Sequence, residues 1–444
     1  MNRLLFAAVA ACAFTASALA DPLESLFNTD NLWTMKKADF MKVAEKLGYE
    51  WTSSAMDSAR VARPRAASSS GAAYSASGGG LTAFGLPAVE SVARFDGDKL
   101  STVTVVLYAR GDVGDWTEAQ FDGLVRSAAD AISAATKTKF TVRGKDPTNA
   151  VHAEGLVWAA PGARYLLEYS KTKALVTRNI AFRAEFVRLE ATAPEKKLSL
   201  LASAANLQRA KFSGLTHVKR DASSGDVWLA DVPMVDQGEK GYCVVAATER
   251  VMRYYGDKVD ENELAQVANT GTAGGTSTNA MVDALKKLSA RLKVRVREVE
   301  KFDIKEILTL IAEYNRAAQK NHKPPLPDQG HMIDVGAMYR DMDTDVLREV
   351  RNKNKGDLHR FQRAVQSHID DGVPLLWTVM LGKVPEPGIP QNAGGHMRLI
   401  IGYNNTKDEI LFSDSWGAGH ELKRMKAEDA WTMTTGTMSI EPLN

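Results

Sequence analysis

Beyond residue 20 the sequence holds one cysteine, Cys243; the other of its two, Cys12, lies in the first residues. With a single thiol left, a chain of this length cannot be stapled by disulfides, so hydrophobic cores must hold it together. At 444 residues there is room for two or three such cores. The formal net charge of +2 leaves no electrostatic footprint for nucleic acid.

The first residues, "MNRLLFAAVAACAFTASALADPLES", run from Arg3 through an apolar stretch to Ala18-Leu19-Ala20 before Asp21. That order of charge, apolar run and small residues predicts a signal peptide over residues 1–20. The run is too short and Ala-rich for a membrane span, which needs roughly 20 apolar residues. A competing reading anchors a lipoprotein at Cys12, with only Leu4 to Ala11 as its apolar part. The expectation is an exported chain, periplasmic or extracellular, with no integral membrane segment.

Residues 21–200 read as a small α+β domain. "MKKADFMKVAEKLGYEW" puts Phe40, Val43, Ala44 and Leu47 on one helical face, and residues 58–80 are small, polar and Gly-rich, a flexible stretch. "KLSTVTVVLYARG", "GLVWAA", "RYLLEYS" and "NIAFRAEFVRLEA" alternate as strands of a mostly antiparallel sheet, broken by an amphipathic helix at about 116–136. No catalytic cluster stands out there, and His152 reads as a surface histidine. A helix over 193–214 leads into a connector at 201–227.

The second half differs. In "DQGEKGYCVVAATERVMRYYG" Gly241 supplies a turn and Gly256 a stop around a helix with Val244, Ala247 and Val251 inward. Cys243 thus stands at a helix N-terminus, where the dipole favours a thiolate. Gln237, six residues upstream, carries an amide able to donate toward an oxyanion. The plainer reading makes Cys243 a buried small residue and Gln237 a loop amide.

A thiolate needs a base and an orienting group. "GGHMRLIIGYNNTKDEILFSDSWG" reads as two strands around a polar turn; pairing symmetric about Asn405 would set His396 directly opposite Asp414. Asp414 would then fix the imidazole tautomer and leave the second nitrogen for the thiol. The competing reading has His396 at the surface and Asp414 paired with Arg398.

Gln237, Cys243 at a helix start, His396 after Gly394-Gly395, and Asp414-Ser415-Trp416-Gly417 together resemble the papain-like cysteine peptidases. The wording "VPMVDQGEKGYCVVAATERVMRYYG", with "DENELAQVA" and "GGTSTNAMVDALKKL" after it, is similar to their C39-like branch. The likeness covers 228–444 and leaves 21–200 unexplained. It implies a catalytic domain with a helical part and an antiparallel β part, preceded by the small α+β domain. It also implies Cys243 as nucleophile, His396 as base and acid, Asp414 as orienter, and Gln237 with the Cys243 amide as oxyanion hole. Papain itself has Asn-Ser-Trp-Gly where this chain has Asp, and a Trp where Val244 follows the nucleophile. The implied activity is hydrolysis of peptide or protein substrates through a thioester acyl-enzyme; alternatives are a peptidoglycan amidase or endopeptidase, and a non-catalytic binding protein on the same fold.

Between nucleophile and base, "KVRVREVE" and "VPLLWTVML" read as strands, "FDIKEILTLIAEYNRAAQ" and "DLHRFQRAVQSHIDDG" as helices, and "GKVPEPGIPQNAGG" as a cleft wall. His322, His331, His359 and His368 show no HExxH spacing, and "DMDTD" at 341–345 lacks the glycine and distal glutamate of an EF-hand. No metal or cofactor is expected. Trp416 reads as a lid or core aromatic beside the Asp-His pair.

Overall fold

The computed structural model describes residues 22–62, 80–143, 151, 153–174, 181–196, 212–238, 241–257, 259–270, 278–300, 303–327, 333–389 and 394–443. The expected leader, most of the 58–80 stretch, most of the helix expected at 193–214, His152 and His331 lie outside the described residues.

The mixed α+β organisation is present, with the first half mostly strands. β1 (Glu50–Trp51), β2 (Ser58–Ala62), β3 (Glu90–Asp96), β4 (Lys99–Ala109), β5 (Thr141–Arg143), β6 (Glu154–Ala159), β7 (Arg164–Thr172) and β8 (Arg183–Thr192) form one antiparallel sheet in the order β1-β2-β3-β4-β8-β7-β6-β5. Helix α1 (Lys37–Ala44) buries Phe40, Met41 and Ala44. Helix α2 (Glu118–Thr136) opens on a capping box in which Thr117 and Gln120 satisfy each other's backbone donors. Both pack into one core with Trp158, Leu167 and Val187.

The stretch expected to be loose from residue 58 begins as a strand: Ser58–Ala62 pairs with β3, and Arg60 faces Val92. Its small side chains fit beside a neighbouring strand, a possibility that Ser/Ala/Arg composition alone conceals.

The second sheet holds β9 (Val218–Asp221), β10 (Asp226–Leu229), β11 (Val294–Glu300), β12 (Leu375–Leu381), β13 (Gly394–Asn404), β14 (Glu409–Ser413), β15 (Lys423–Lys426) and β16 (Thr434–Pro442). Its path is β9-β10-β13-β12-β16-β11, and β14 joins β13 to β15. Helices α3 (Cys243–Tyr254), α4 (Glu261–Val267), α5 (Thr278–Leu292), α6 (Ile304–Lys320) and α7 (Lys355–Asp370) supply the helical part. A second core gathers Val245, Val251, Trp377 and Leu399.

Helix α3 is buried on nearly every side, beyond the single inward face expected. Thr248, Glu249 and Arg250 are covered as well as Val244, Ala247 and Val251: from the first half Arg94 reaches Glu249 at 3.3 Å, and Arg250 is enclosed by Pro233, Ser413 and Asp414 of its own half. Gly256 ends the helix at φ 83°, a left-handed conformation that glycine adopts without strain. In the acidic run, Asp343 caps a helix by accepting from the amides of Asp345 and Val346. No helix among the described residues is long and apolar enough to cross a membrane.

Candidate active site

Helix α3 starts without a side-chain cap: Tyr242 occupies the N-cap, and no side chain accepts from the first turn. The opening amides are therefore left to serve whatever lies beyond the helix end. Cys243 is the first helical residue, and the backbone amides of Met397 and Val244 hydrogen-bond its sulfur. Burial pushes the thiol pKa up, but its hydrogen bond and charge interaction with His396, together with those amides, bring it below the ordinary thiol value.

His396 lies near the start of β13, opposite Val379 of β12. Its Nε2 meets Asp414 Oδ1 at 2.6 Å, which leaves Nδ1 for the Cys243 thiol that also hydrogen-bonds the ring. Burial works against protonation; the Asp414 carboxylate and the Cys243 sulfur outweigh it and hold the imidazole up to about 9. The Trp416 indole stacks on the ring with centroids 4.4 Å apart and planes 8° from parallel. That aromatic wall fixes the ring plane and excludes water from one side.

The hairpin register differs from the symmetric pairing expected. Leu399 faces Ser413 and Ile400 faces Phe412; a bulge then shifts the pairing so that Gly402 faces Leu411. The turn sits later than Asn405, and continuing the register sets Asp414, just past the end of β14, opposite Arg398. A side chain beyond the strand end is free to lean along the edge, and Asp414 serves both neighbours. Oδ1 takes His396 and the amide of Ser415 (2.9 Å), while Oδ2 lies 2.8 Å from Arg398 Nε. The Arg398 N–H does not point squarely at that oxygen, so the contact is an ion pair more than an aligned hydrogen bond. The two sequence readings of Asp414, as partner of His396 and as partner of Arg398, hold together. Asp414 has 0 % exposure, and despite burial His396 and Arg398 keep its carboxyl below the usual range.

Gln237 is buried and its amide is oriented by Ser415, whose hydroxyl donates to Gln237 Oε1 at 2.6 Å. The Gln237 backbone amide donates to the Ser415 carbonyl at 2.9 Å. With Oε1 turned to Ser415, the NH2 end is the end left to face other groups. The sequence-predicted residues Cys243, His396, Asp414 and Gln237 thus stand in one continuous network.

Other parts of that network escaped sequence reasoning. Arg250, two turns along α3 from the thiol and fully buried, donates through Nη1 to the Asp414 carbonyl at 2.9 Å, through Nε to the Pro233 carbonyl at 2.8 Å, and also to Ser413 Oγ. Burial pulls its guanidinium down to about 10, which leaves it charged at neutral pH. One side chain thereby ties α3 to the Asp414 turn and to the irregular segment leading to Gln237. Glu386 comes from the loop expected as a cleft wall, and its carboxylate turns inward to Arg398, 2.7 and 3.0 Å from Nη1 and Nη2. Arg250 was hidden because a helical arginine ordinarily faces solvent; the spacing of seven from Cys243 was the available signal. Among the described residues no group of acids, histidines and cysteines is arranged to hold a metal ion.

A thiol at an uncapped helix start with an imidazole between it and a buried carboxylate resembles the arrangement that papain-like cysteine peptidases use. Residues 229–439 match the Peptidase_C39 like family, which bears out the C39-like resemblance of the C-terminal part. Among solved structures the chain is similar to xylellain, a cysteine protease from Xylella fastidiosa, at 14% identity over 51% of this chain and 91% of that one, with a TM-score of 0.26, too low to carry an argument. No curated protein sequence matches.

Proposed function

We propose that the protein is an exported cysteine peptidase that cleaves peptide bonds through Cys243, His396, Asp414 and Gln237. The observation that carries this reading is His396 held between the Asp414 carboxylate at 2.6 Å and the Cys243 thiol at the head of α3. The Cys243 thiolate adds to the scissile carbonyl, and the oxygen takes up the electron pair facing the Gln237 amide and the backbone amide of Cys243. Collapse breaks the C–N bond, and imidazolium His396 gives its proton to the leaving amine. Water, deprotonated by the now neutral His396, then attacks the thioester and releases the acid product and the thiol. Mass spectrometry of the protein quenched in acid with an activated peptide ester tests this. A single acyl adduct on the Cys243 peptide, lost in Cys243→Ala, is expected; turnover that persists in Cys243→Ala would overturn the reading.

The first half supports the site by touching the segments around Cys243 and Gln237 and the turn after Trp416. Gly111 makes room for Tyr242, the residue before the nucleophile; a Cβ there would overlap the Tyr242 hydroxyl. Arg60 pairs with Asp236, beside Gln237, at 3.5 Å. The Ser54 amide donates to Glu421, on the turn after Trp416, at 2.6 Å. Arg188 bridges Glu168 of its own sheet to Asp260 and to Glu263 of α4. Removing this half would take Arg94 from Glu249 and Arg188 from Glu263 and open the covered face of α3 and α4 to water. These contacts favour an N-terminal half that stays attached as part of the working enzyme over one that is cut away as a propeptide.

A further inference from the structure

Arg398 follows His396 by two residues on β13 and so shares its face of the sheet. Its side chain is among the most deeply buried in the molecule, at 1 % exposure. The guanidinium lies over the Phe412 ring, 4.7 Å from its centroid, with Glu386 on its Nη side and Asp414 on its Nε side. A bidentate carboxylate and an aromatic face fix the plane of an arginine far more tightly than one ion pair does.

We propose that Arg398, anchored by Glu386, is a positioning residue that offsets the charge of Asp414, so that the carboxylate pulls on His396 more as a neutral amide would. The proposal rests on the reading of Cys243 and His396 as the working pair. A bare buried carboxylate beside an imidazolium stabilises it strongly, and a proton held too tightly passes slowly to a leaving amine. An amide in that place orients the ring with a dipole only. Asp414 keeps the orienting oxygen Oδ1 on His396, while the positive charge at Oδ2 removes part of its field. Glu386 in turn moderates Arg398, so charge alternates along the row Asp414, Arg398, Glu386. The other groups around His396 are the Cys243 thiol, the Trp416 ring, His420 edge-on to that ring at 5.7 Å, and Arg250 on the Asp414 carbonyl. None of them contacts the far side of Arg398 in a way that would substitute for Glu386.

Removing charge at the two ends of this row should move His396 in opposite directions, a result that a merely structural anchor would not give. The test is the ring titration of His396 by NMR in the full chain labelled at histidine carbon, assigned against His396→Ala. Glu386→Gln keeps the shape and leaves the Arg398 charge unopposed, so the His396 midpoint should fall by roughly one pH unit. Arg398→Gln should raise it by a similar amount, and Arg398→Lys should return it close to native. The alkaline limb of kcat/KM should move with the ring in each variant. Shifts in the same direction, or no shift, in variants with a native circular dichroism spectrum would overturn the proposal. If Arg398→Gln fails to fold, the fall expected in Glu386→Gln decides alone. Absence of any acyl-enzyme in the native protein would sink the peptidase reading, and the ring titration would still decide the role of Arg398.

Discussion

The two halves are each built on an eight-stranded antiparallel sheet, yet they use their buried charge differently. In the first half much of it spans the boundary: Arg188 bridges Glu168 to Asp260 and Glu263, Arg94 reaches Glu249, and Arg60 links Glu90 to Asp236. In the second half it converges on one helix start, where Glu386, Arg398, Asp414 and His396 form a row that ends at the Cys243 thiol. What separates a scaffold from a site is therefore the strand ends. His396 opens β13, Asp414 follows the last residue of β14, and both meet an uncapped helix. Similar architecture hosts either role, and chemistry follows the side chains at those termini.

The sharpest way to break this comparison is to separate the halves. Residues 221–444 expressed alone should lose all turnover and fold poorly, as read by circular dichroism and a labelled peptide mixture; greater activity than the full chain would make the first half an inhibitory pro-region. Within the second half, Gln237→Ala should cost about 10²- to 10³-fold in kcat if its amide faces the oxyanion. Complete loss with an intact fold would assign it to holding the Asp414–Ser415 turn. In the first half, Gly111→Ala should lower kcat about tenfold through displaced Tyr242 while KM changes little, since a small misplacement at the nucleophile acts on the chemical step. An unchanged kcat would mean that the first half supports stability without shaping the site.

The smallest effect lies in stability. His396 is held up to about 9, above the roughly 6.5 of an unfolded histidine, so folding binds its proton more tightly. The resulting stabilisation is complete below about pH 6.5 and lost as pH rises through about 9. Asp414, shifted down, contributes above the ordinary carboxylate range and loses its part as pH falls. Cys243, shifted down, gains as pH rises and offsets this loss in the native protein, so melting temperature should decline by a few degrees between about pH 6.5 and 9.5 in Cys243→Ala, where that offset is gone. The decline should be smaller in His396→Ala; an identical decline would show that the pair does not carry it.

Much of the second half is legible in the sequence because its signals are local. A Gly turn before an apolar helix, a Gly-Gly-His strand start and the run Asp-Ser-Trp-Gly need only near neighbours to be read. The strands at 99–109, 154–159, 164–172 and 375–381 follow from alternation or continuous apolarity in the same way. What was hidden is long-range. β2 looks like linker because only its neighbours β1 and β3 make it a strand, and α3 looks one-sided because the first half covers Glu249 while the distant Asp414 turn covers Arg250. The hairpin register slipped because the turn sits later than Asn405, with Asn404 facing Glu409, and the bulge between Ile400 and Gly402 takes back only one position of that shift. Arg398 was visible only as a competitor for Asp414, since nothing local tells that one carboxylate will serve two partners.

The central claim is that His396 activates Cys243, and the rate of Cys243 modification at pH 6 tests it most directly. Iodoacetamide labelling of the full chain, followed by mass spectrometry of the Cys243 peptide, reports the thiolate fraction at that one residue. Cys243 should react at pH 6 well faster than an unperturbed thiol, and His396→Ala should slow it at least tenfold, because the imidazolium holds the sulfur ionised below its ordinary pKa of about 8.5. A native profile with one midpoint near 8.5, unchanged in His396→Ala, would contradict it.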